Sequence, residues 1–220
     1  QHALGATRTV FAVESDMPEA RAALSDAIEA AGDDDMHTCV VTAKYPAGGE
    51  RQLTELVMGR EVPEHGWPTD IGIVCHNVGT AGAVADLFDH GRPLISRVVT
   101  VTGHGVTDAG NFDVRIGTSI RDLLAFAGRR DEPVGRIIMG GPMMGRALPD
   151  DSLPVTKATN CLIVMRPEDI TPEAPEMPCI RCGECVVACP ARLLPQELLI
   201  AARRHDMDGP QTLGLARIHI

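Results

Sequence analysis

The chain has 220 residues, 44% hydrophobic and 23% charged, with a net charge of −10 at pH 7. The balance excludes a disordered chain, and the sign argues against nucleic acid, whose phosphates recruit basic surfaces. No apolar run approaches the ~20 residues of a membrane helix, and no signal-peptide pattern is present.

Thr9-Val-Phe-Ala-Val13 reads as a short buried strand. Met17 to Ala31 has helical spacing (Ala20, Ala23, Leu24, Ala27, Ile28, Ala31), with caps on offer at Glu14, Ser15 and Asp16 and a stop at Gly32. Thr38-Cys-Val-Val-Thr42 is the next strand. Residues 9–42 thus read as a β-α-β unit, which implies a parallel sheet. Gly48-Gly49-Glu50 leads into a helix over 51–58, and Ile71-Gly-Ile-Val-Cys75 reads as a third strand. A helix from about Ala81 to Asp89 follows the turn His76-Asn77-Val78-Gly79-Thr80. These two turns are expected at one edge of the sheet. Helix N-termini there can meet an anion, although Asn and Gly also serve as ordinary caps. The G-x-G-x-x-G fingerprint is absent.

Strands are expected at 97–102 and 112–116, a helix from Thr118 or Ser119 to Gly128, and a strand at Arg136-Ile-Ile-Met139. A Gly-Gly-Pro-Met-Met-Gly turn follows at 140–145, then a strand at Cys161-Leu-Ile-Val-Met165. This order suggests a small α+β domain. Met139, Met143 and Met144 read as pliable packing. Cys39, Cys75 and Cys161 read as small buried core residues. Residues 166–178, with Pro167, Pro172, Pro175 and Pro178 among acids, read as a stiff linker.

Cys179-Ile-Arg-Cys182-Gly-Glu-Cys185-Val-Val-Ala-Cys189-Pro190 follows. Its C-x2-C-x2-C-x3-C-P spacing is the bacterial run for a [4Fe-4S] cluster, in which the fourth cysteine binds the other cluster of a two-cluster protein. Zinc sites instead use separated C-x2-C halves, or a C-x2-C with histidines. Gly183 frees the backbone for the wrap, and Cys189 is expected to start the exit helix. Clustered thiols indicate a reducing compartment and a metal rather than disulfides. Leu193 to Arg204 reads as an amphipathic helix. The chain opens without Met and stops inside Leu215-Ala-Arg-Ile-His-Ile220, so it reads as a fragment.

Several stretches together resemble one family: Lys44-Tyr-Pro-Ala-Gly-Gly-Glu-Arg-Gln-Leu53, Gly59-Arg-Glu-Val-Pro63, Asn77-Val-Gly-Thr80, Arg97-Val-Val-Thr-Val-Thr-Gly103, Ile138-Met-Gly-Gly-Pro-Met-Met-Gly145, and Pro178 through Pro190 with Leu193-Leu-Pro-Gln196. They resemble the C subunits of Rnf electron transport complexes (ferredoxin:NAD oxidoreductases), and more distantly the flavin-binding subunit of respiratory complex I. The resemblance implies three parts. Residues 1–92 would be a Rossmann-like flavin/nucleotide domain without its N-terminal part. Residues 93–165 would be a β-grasp domain of the soluble-ligand-binding type. Residues 179–220, after the linker, would be a ferredoxin-type 4Fe-4S segment cut before its second cysteine run.

The resemblance further implies FMN and two [4Fe-4S] clusters in the full-length protein, electron exchange with NAD(H), and coupling to ion pumping. It implies partner subunits and a peripheral place on the cytoplasmic side of the bacterial inner membrane. By the same resemblance Gly48, Gly49, Glu50, Asn77 and Thr80 bind flavin, and Cys179, Cys182, Cys185 and Cys189 bind iron. Gly49 stands where complex I relatives have an acid, and His76 where an amide is usual. Rival readings are an iron-sulfur relay without flavin and a diaphorase-type subunit of a soluble hydrogenase or formate dehydrogenase.

Overall fold

The computed structural model describes residues 2–130, 133–172, 174–189, 193–206 and 208–213. The chain divides into two compact units, one formed by Gln1–His76 with Pro178–Ile220 and the other by Asn77–Met177. Both mix helices and strands.

In the first unit, β1 (Thr9–Glu14) and β2 (Met36–Val41) pair in parallel, Thr9 against Met36 through Glu14 against Val41. The crossover is α1 (Pro18–Ala31). Pro18 suits the first helical position, and Gly32 closes α1 in the left-handed region at φ 60°. The cap differs from expectation: Met17 occupies it, with no side-chain hydrogen bond. None of the 14 residues of α1 is buried. Among the described residues this sheet has only its two strands, so each leaves an outer edge unpaired.

α2 (Glu50–Met58) follows, ended by left-handed Gly59. The third strand expected at Ile71–Cys75 is not formed. Pro68–Ile71 makes a 3-10 turn closed by Gly72 at φ 77°, and the Ile73 N–H bonds back to the Pro68 carbonyl at 3.0 Å. That bond turns the chain where a strand would have to extend. Cys39 and Cys75 are half-exposed rather than buried.

In the second unit, α3 (Val78–His90) begins three residues before its expected start. β3 (Ser96–Thr102), β4 (Gly110–Arg115), β5 (Arg136–Met139), β6 (Arg146–Ala147) and β7 (Cys161–Met165) form one sheet in the order β4-β3-β7-β5-β6. β3 and β7 run parallel, and the other pairs are antiparallel. α4 (Ile120–Phe126) is capped by the Ser119 hydroxyl, which accepts from the Asp122 N–H at 3.1 Å.

The core of this unit is aliphatic. Ile120, Leu123, Leu124 and Ala127 recur at i, i+3, i+4 and i+7 and pack with Val99, Val101, Val114, Val155, Leu162 and Val164. The inward residues of β3 and β7 alternate along each strand, as pleating requires. Cys161 is half-exposed, and partial burial raises its thiol pKa. Asp151 receives both Arg121 and Arg129. The Arg121 hydrogen bond, foremost, keeps Asp151 below the usual carboxylate range.

Candidate functional site

The four clustered cysteines lie in the first unit. Cys179 and Cys182 sit in irregular chain, Cys185 is the second residue of α5 (Glu184–Ala188), and Cys189 closes that helix. Cys189 therefore ends a helix rather than starting one. Its backbone is extended (φ −71°, ψ 115°), as the residue before a proline must tend to be. Arg181 at φ 59° and Gly183 at φ 80° turn the chain on either side of the second thiol, Cys182. A non-glycine residue held there costs of order 1–3 kcal/mol.

All four thiols are free; Cys179, Cys182 and Cys185 are exposed and Cys189 is partly buried. The Cys185 thiol donates to Gln196 Oε1 at 3.5 Å, in α6 (Pro195–Arg203). Ile180 and Val187 stand beside them, 84% and 78% exposed. Among the described residues no three His, Cys, Asp or Glu side chains are gathered closely enough to hold a metal. In donor chemistry the set fits an iron-sulfur cluster: four unpaired thiols within eleven residues, on a curled backbone. The side chains themselves are not drawn into a cage.

The second group of expected site residues stands at α2. Ala47 is buried, its N–H bonded to the Lys44 carbonyl at 2.7 Å, and the Gly49 N–H bonds to the Pro46 carbonyl at 2.8 Å. Gly49 then caps α2 with extended backbone, and the Leu53 N–H closes the first helical turn on the Gly49 carbonyl at 2.8 Å. The N–H groups of Glu50, Arg51 and Gln52 precede that bond, so helix geometry leaves them without intrahelical acceptors. A Cβ at Gly48 would meet nothing within 4 Å, whereas one at Gly49 would stand 2.5 Å from Gln52 Oε1.

Arg51 was missed by sequence reading. It is only 8% exposed. Its Nη1 donates to the Pro63 carbonyl at 2.9 Å and, at the outer limit, to Val62 at 3.5 Å. Its Nη2 donates to the Gly66 carbonyl at 2.6 Å and more weakly to Glu64 at 3.4 Å. The available signal was a basic residue directly after Gly-Gly-Glu with a Pro- and Gly-rich loop downstream.

Asn77 and Thr80 belong to the other unit. Asn77 caps α3: its Oδ1 accepts the Gly79 N–H at 2.9 Å, and its carbonyl accepts Thr80 N–H at 2.9 Å. Both side chains are exposed. The same unit holds a contact that sequence reading also missed: His104 Nδ1 meets Asp169 Oδ1 at 2.8 Å. The Arg166 backbone N–H, first, and the His104 ring, next, pull the Asp169 pKa down to about 2.

Comparison with known proteins bears on all of this. Residues 1–86 match the model of the Nuo51 FMN-binding domain, and residues 98–147 that of the SLBB domain. The C subunit of an ion-translocating oxidoreductase complex from Pseudomonas aeruginosa is 49% identical over 186 residues, which are 84% of this chain and 24% of that protein. Its counterpart from Vibrio cholerae is 42% identical over 98% of this chain and 28% of its own length. That from Erwinia tasmaniensis is 43% identical over 97% and 26%. The chain therefore spans roughly a quarter of these relatives. A crystal structure of an NAD+-reducing [NiFe]-hydrogenase in the air-oxidized state shares the fold with a TM-score of 0.59 at 21% identity, over 74% of this chain and 34% of that one. With residues 1–86 matching a Nuo51 FMN-binding domain and residues 98–147 an SLBB domain, the chain is similar over most of its length to about a quarter of the C subunits of ion-translocating oxidoreductase complexes.

Proposed function

We propose that the chain is the electron-transferring part of such a subunit, exchanging electrons between NAD(H), FMN and [4Fe-4S] clusters. The observation that carries this is the C-x2-C-x2-C-x3-C run of free thiols in a chain whose first 86 residues match an FMN-binding domain. When bound, FMN and the clusters supply the conversion between two-electron hydride chemistry and one-electron transfer.

The chain's own residues hold and orient. Cys179, Cys182 and Cys185 ligate one cluster as thiolates, and Cys189 ligates the other. Ligation demands deprotonated sulfur, so loading releases protons and strengthens as pH rises. Gly48, Gly49 and Glu50 would form the flavin/nucleotide loop, and the first N–H groups of α2 would offer donors to a negative charge there. The family resemblance also assigns Asn77 and Thr80, at the start of α3, to flavin binding. The domain reading assigns 1–92 to a Rossmann-like flavin domain, 93–165 to a β-grasp domain and 179–220 to a ferredoxin-type segment.

Other subunits of the complex are the partners, and they hold the protein at the cytoplasmic face of the inner membrane. Among the described residues no helix is long and apolar enough to cross a membrane. The test is the iron, sulfide and flavin content of the anaerobically prepared full-length protein. Iron, sulfide and FMN together support the reading. Zinc without sulfide refutes the cluster assignment, and clusters without flavin leave only an iron-sulfur relay.

A further inference from the structure

α2 is held unusually. A helix of this size is normally oriented by an apolar stripe, yet its only buried residues are Arg51 and Thr54. Thr54 touches the Cys75 sulfur at 3.6 Å. Arg51 spends both terminal nitrogens on the 62–66 loop, with its strongest bonds to Pro63 and Gly66. Those two residues are also bridged by the Gly66 N–H to the Pro63 carbonyl at 3.0 Å. The guanidinium therefore clamps a closed turn. It does so at a cost, because its Nε is buried without an acceptor among the described residues. No carboxylate among the described residues pairs with it; carbonyl dipoles alone face the charge.

Only a planar fork can reach acceptors on both sides of such a turn. Arg51 is also the residue directly after Gly48-Gly49-Glu50. Its side chain fixes the rotation of the very helical turn whose first N–H groups lack intrahelical acceptors.

We propose that Arg51 is a positioning residue for the flavin: by fastening the first turn of α2 to the 62–66 loop, it preorganises the backbone that meets FMN. The role rests on the flavin reading above. It acts through backbone and not through contact with the cofactor, so it separates affinity for FMN from stability of the fold.

The loop carries its own reporter. Trp67 is the single tryptophan of the sequence, is 57% exposed, and follows Gly66 directly. The experiment titrates the flavin-depleted full-length protein with FMN. It compares wild type, Arg51→Lys, Arg51→Met and Val13→Ala, the last thinning a buried position of β1 in the same unit. Trp67 emission is taken as the difference from matched Trp67→Phe proteins, and melting temperature is recorded for each. Arg51→Lys keeps the charge but loses the fork; its FMN dissociation constant is expected to rise about tenfold, the size of one or two lost hydrogen bonds. Its Trp67 emission shifts to the red, and Arg51→Met changes further in the same direction. Val13→Ala lowers the melting temperature and leaves FMN affinity and Trp67 emission in place.

Unchanged FMN affinity in Arg51→Lys, with wild type binding normally, overturns the role alone. Equal weakening by Val13→Ala overturns it too, by showing that affinity merely follows stability. Wild type that binds no FMN refutes the flavin reading and this role with it. If Arg51→Met fails to fold, Arg51→Lys decides.

Discussion

Truncating Leu124 to alanine tests the account of the second unit's core. Leu124 is fully buried on α4, beside Ile120 on the same helix and Val99, Val101, Leu162 and Val164 on the sheet. Burying a leucine side chain is worth about 1.5–3 kcal/mol in transfer from water. The cavity adds to this, and Leu→Ala substitutions cost about 2–5 kcal/mol in all. Here the neighbours come from two central strands that ladder hydrogen bonds hold in place, so the site collapses poorly. A loss of about 3–4 kcal/mol is expected.

For a unit spanning Asn77–Met177, each kcal/mol moves the melting midpoint by about 4–8 °C, so the drop is about 12–30 °C. Scanning calorimetry of the full-length protein, following the transition assigned to this unit, gives the value. Phe126→Ala is the control on the same helix. Phe126 is 76% exposed and makes only an edge-to-face contact with Phe112, centroids 5.7 Å apart, so about 1 kcal/mol is at stake. A loss below about 1 kcal/mol for Leu124→Ala, or one no larger than for Phe126→Ala, refutes the packing argument.

Two further predictions concern the thiols and the acid limb of stability. On the proposed ligand assignment, Cys189→Ser removes a ligand from the cluster that Cys179, Cys182 and Cys185 do not hold. EPR of the reduced protein should show that cluster altered and the other intact; loss of only the cluster held by the first three would reverse the assignment. Asp169 has its pKa lowered to about 2 in the fold. A depressed carboxylate adds stability that is present above its unfolded pKa near 3.9 and fades as pH falls towards about 2. Asp169→Asn should therefore lower the melting temperature at neutral pH, with the gap closing between about pH 4 and pH 2; a gap independent of pH would show that Asp169 acts by shape alone.

What sequence could and could not give divides along the range of the interactions. The β1-α1-β2 unit was readable because apolar periodicity and Gly32 are local signals. The helix expected from Thr118 or Ser119 to Gly128 was equally local, and Ser119 caps it. α3 was placed late because Asn77-Val-Gly-Thr looks like a loop until one sees the Asn77 side chain capping the Gly79 N–H. Ile71–Cys75 misled because an apolar, β-branched run is a strand only when a neighbour pairs with it, and Pro68 with Gly72 bends it away. Arg51 was hidden because its partners are main-chain carbonyls 11 to 15 residues on, which leave no side-chain pattern. The His104–Asp169 contact spans 65 residues and was invisible for the same reason. The cysteine spacing was plain, while the helix that takes up Cys185 and ends at Cys189 depends on the left-handed backbone of Gly183.

Among the described residues the outer edges of β1 and β2 carry no partner strand, and this governs how a preparation of these 220 residues alone would behave in the tube. Unsatisfied strand backbone is a template for another chain, and the half-exposed Val40 beside it offers grease to such a meeting. Opposing this is the repulsion among molecules that each carry −10, which weakens as salt shortens the Debye length to about 10 Å at 0.1 M. Dilute, low-salt buffer is thus the gentler solvent, and turbidity on salting marks the point where these edges begin to find one another.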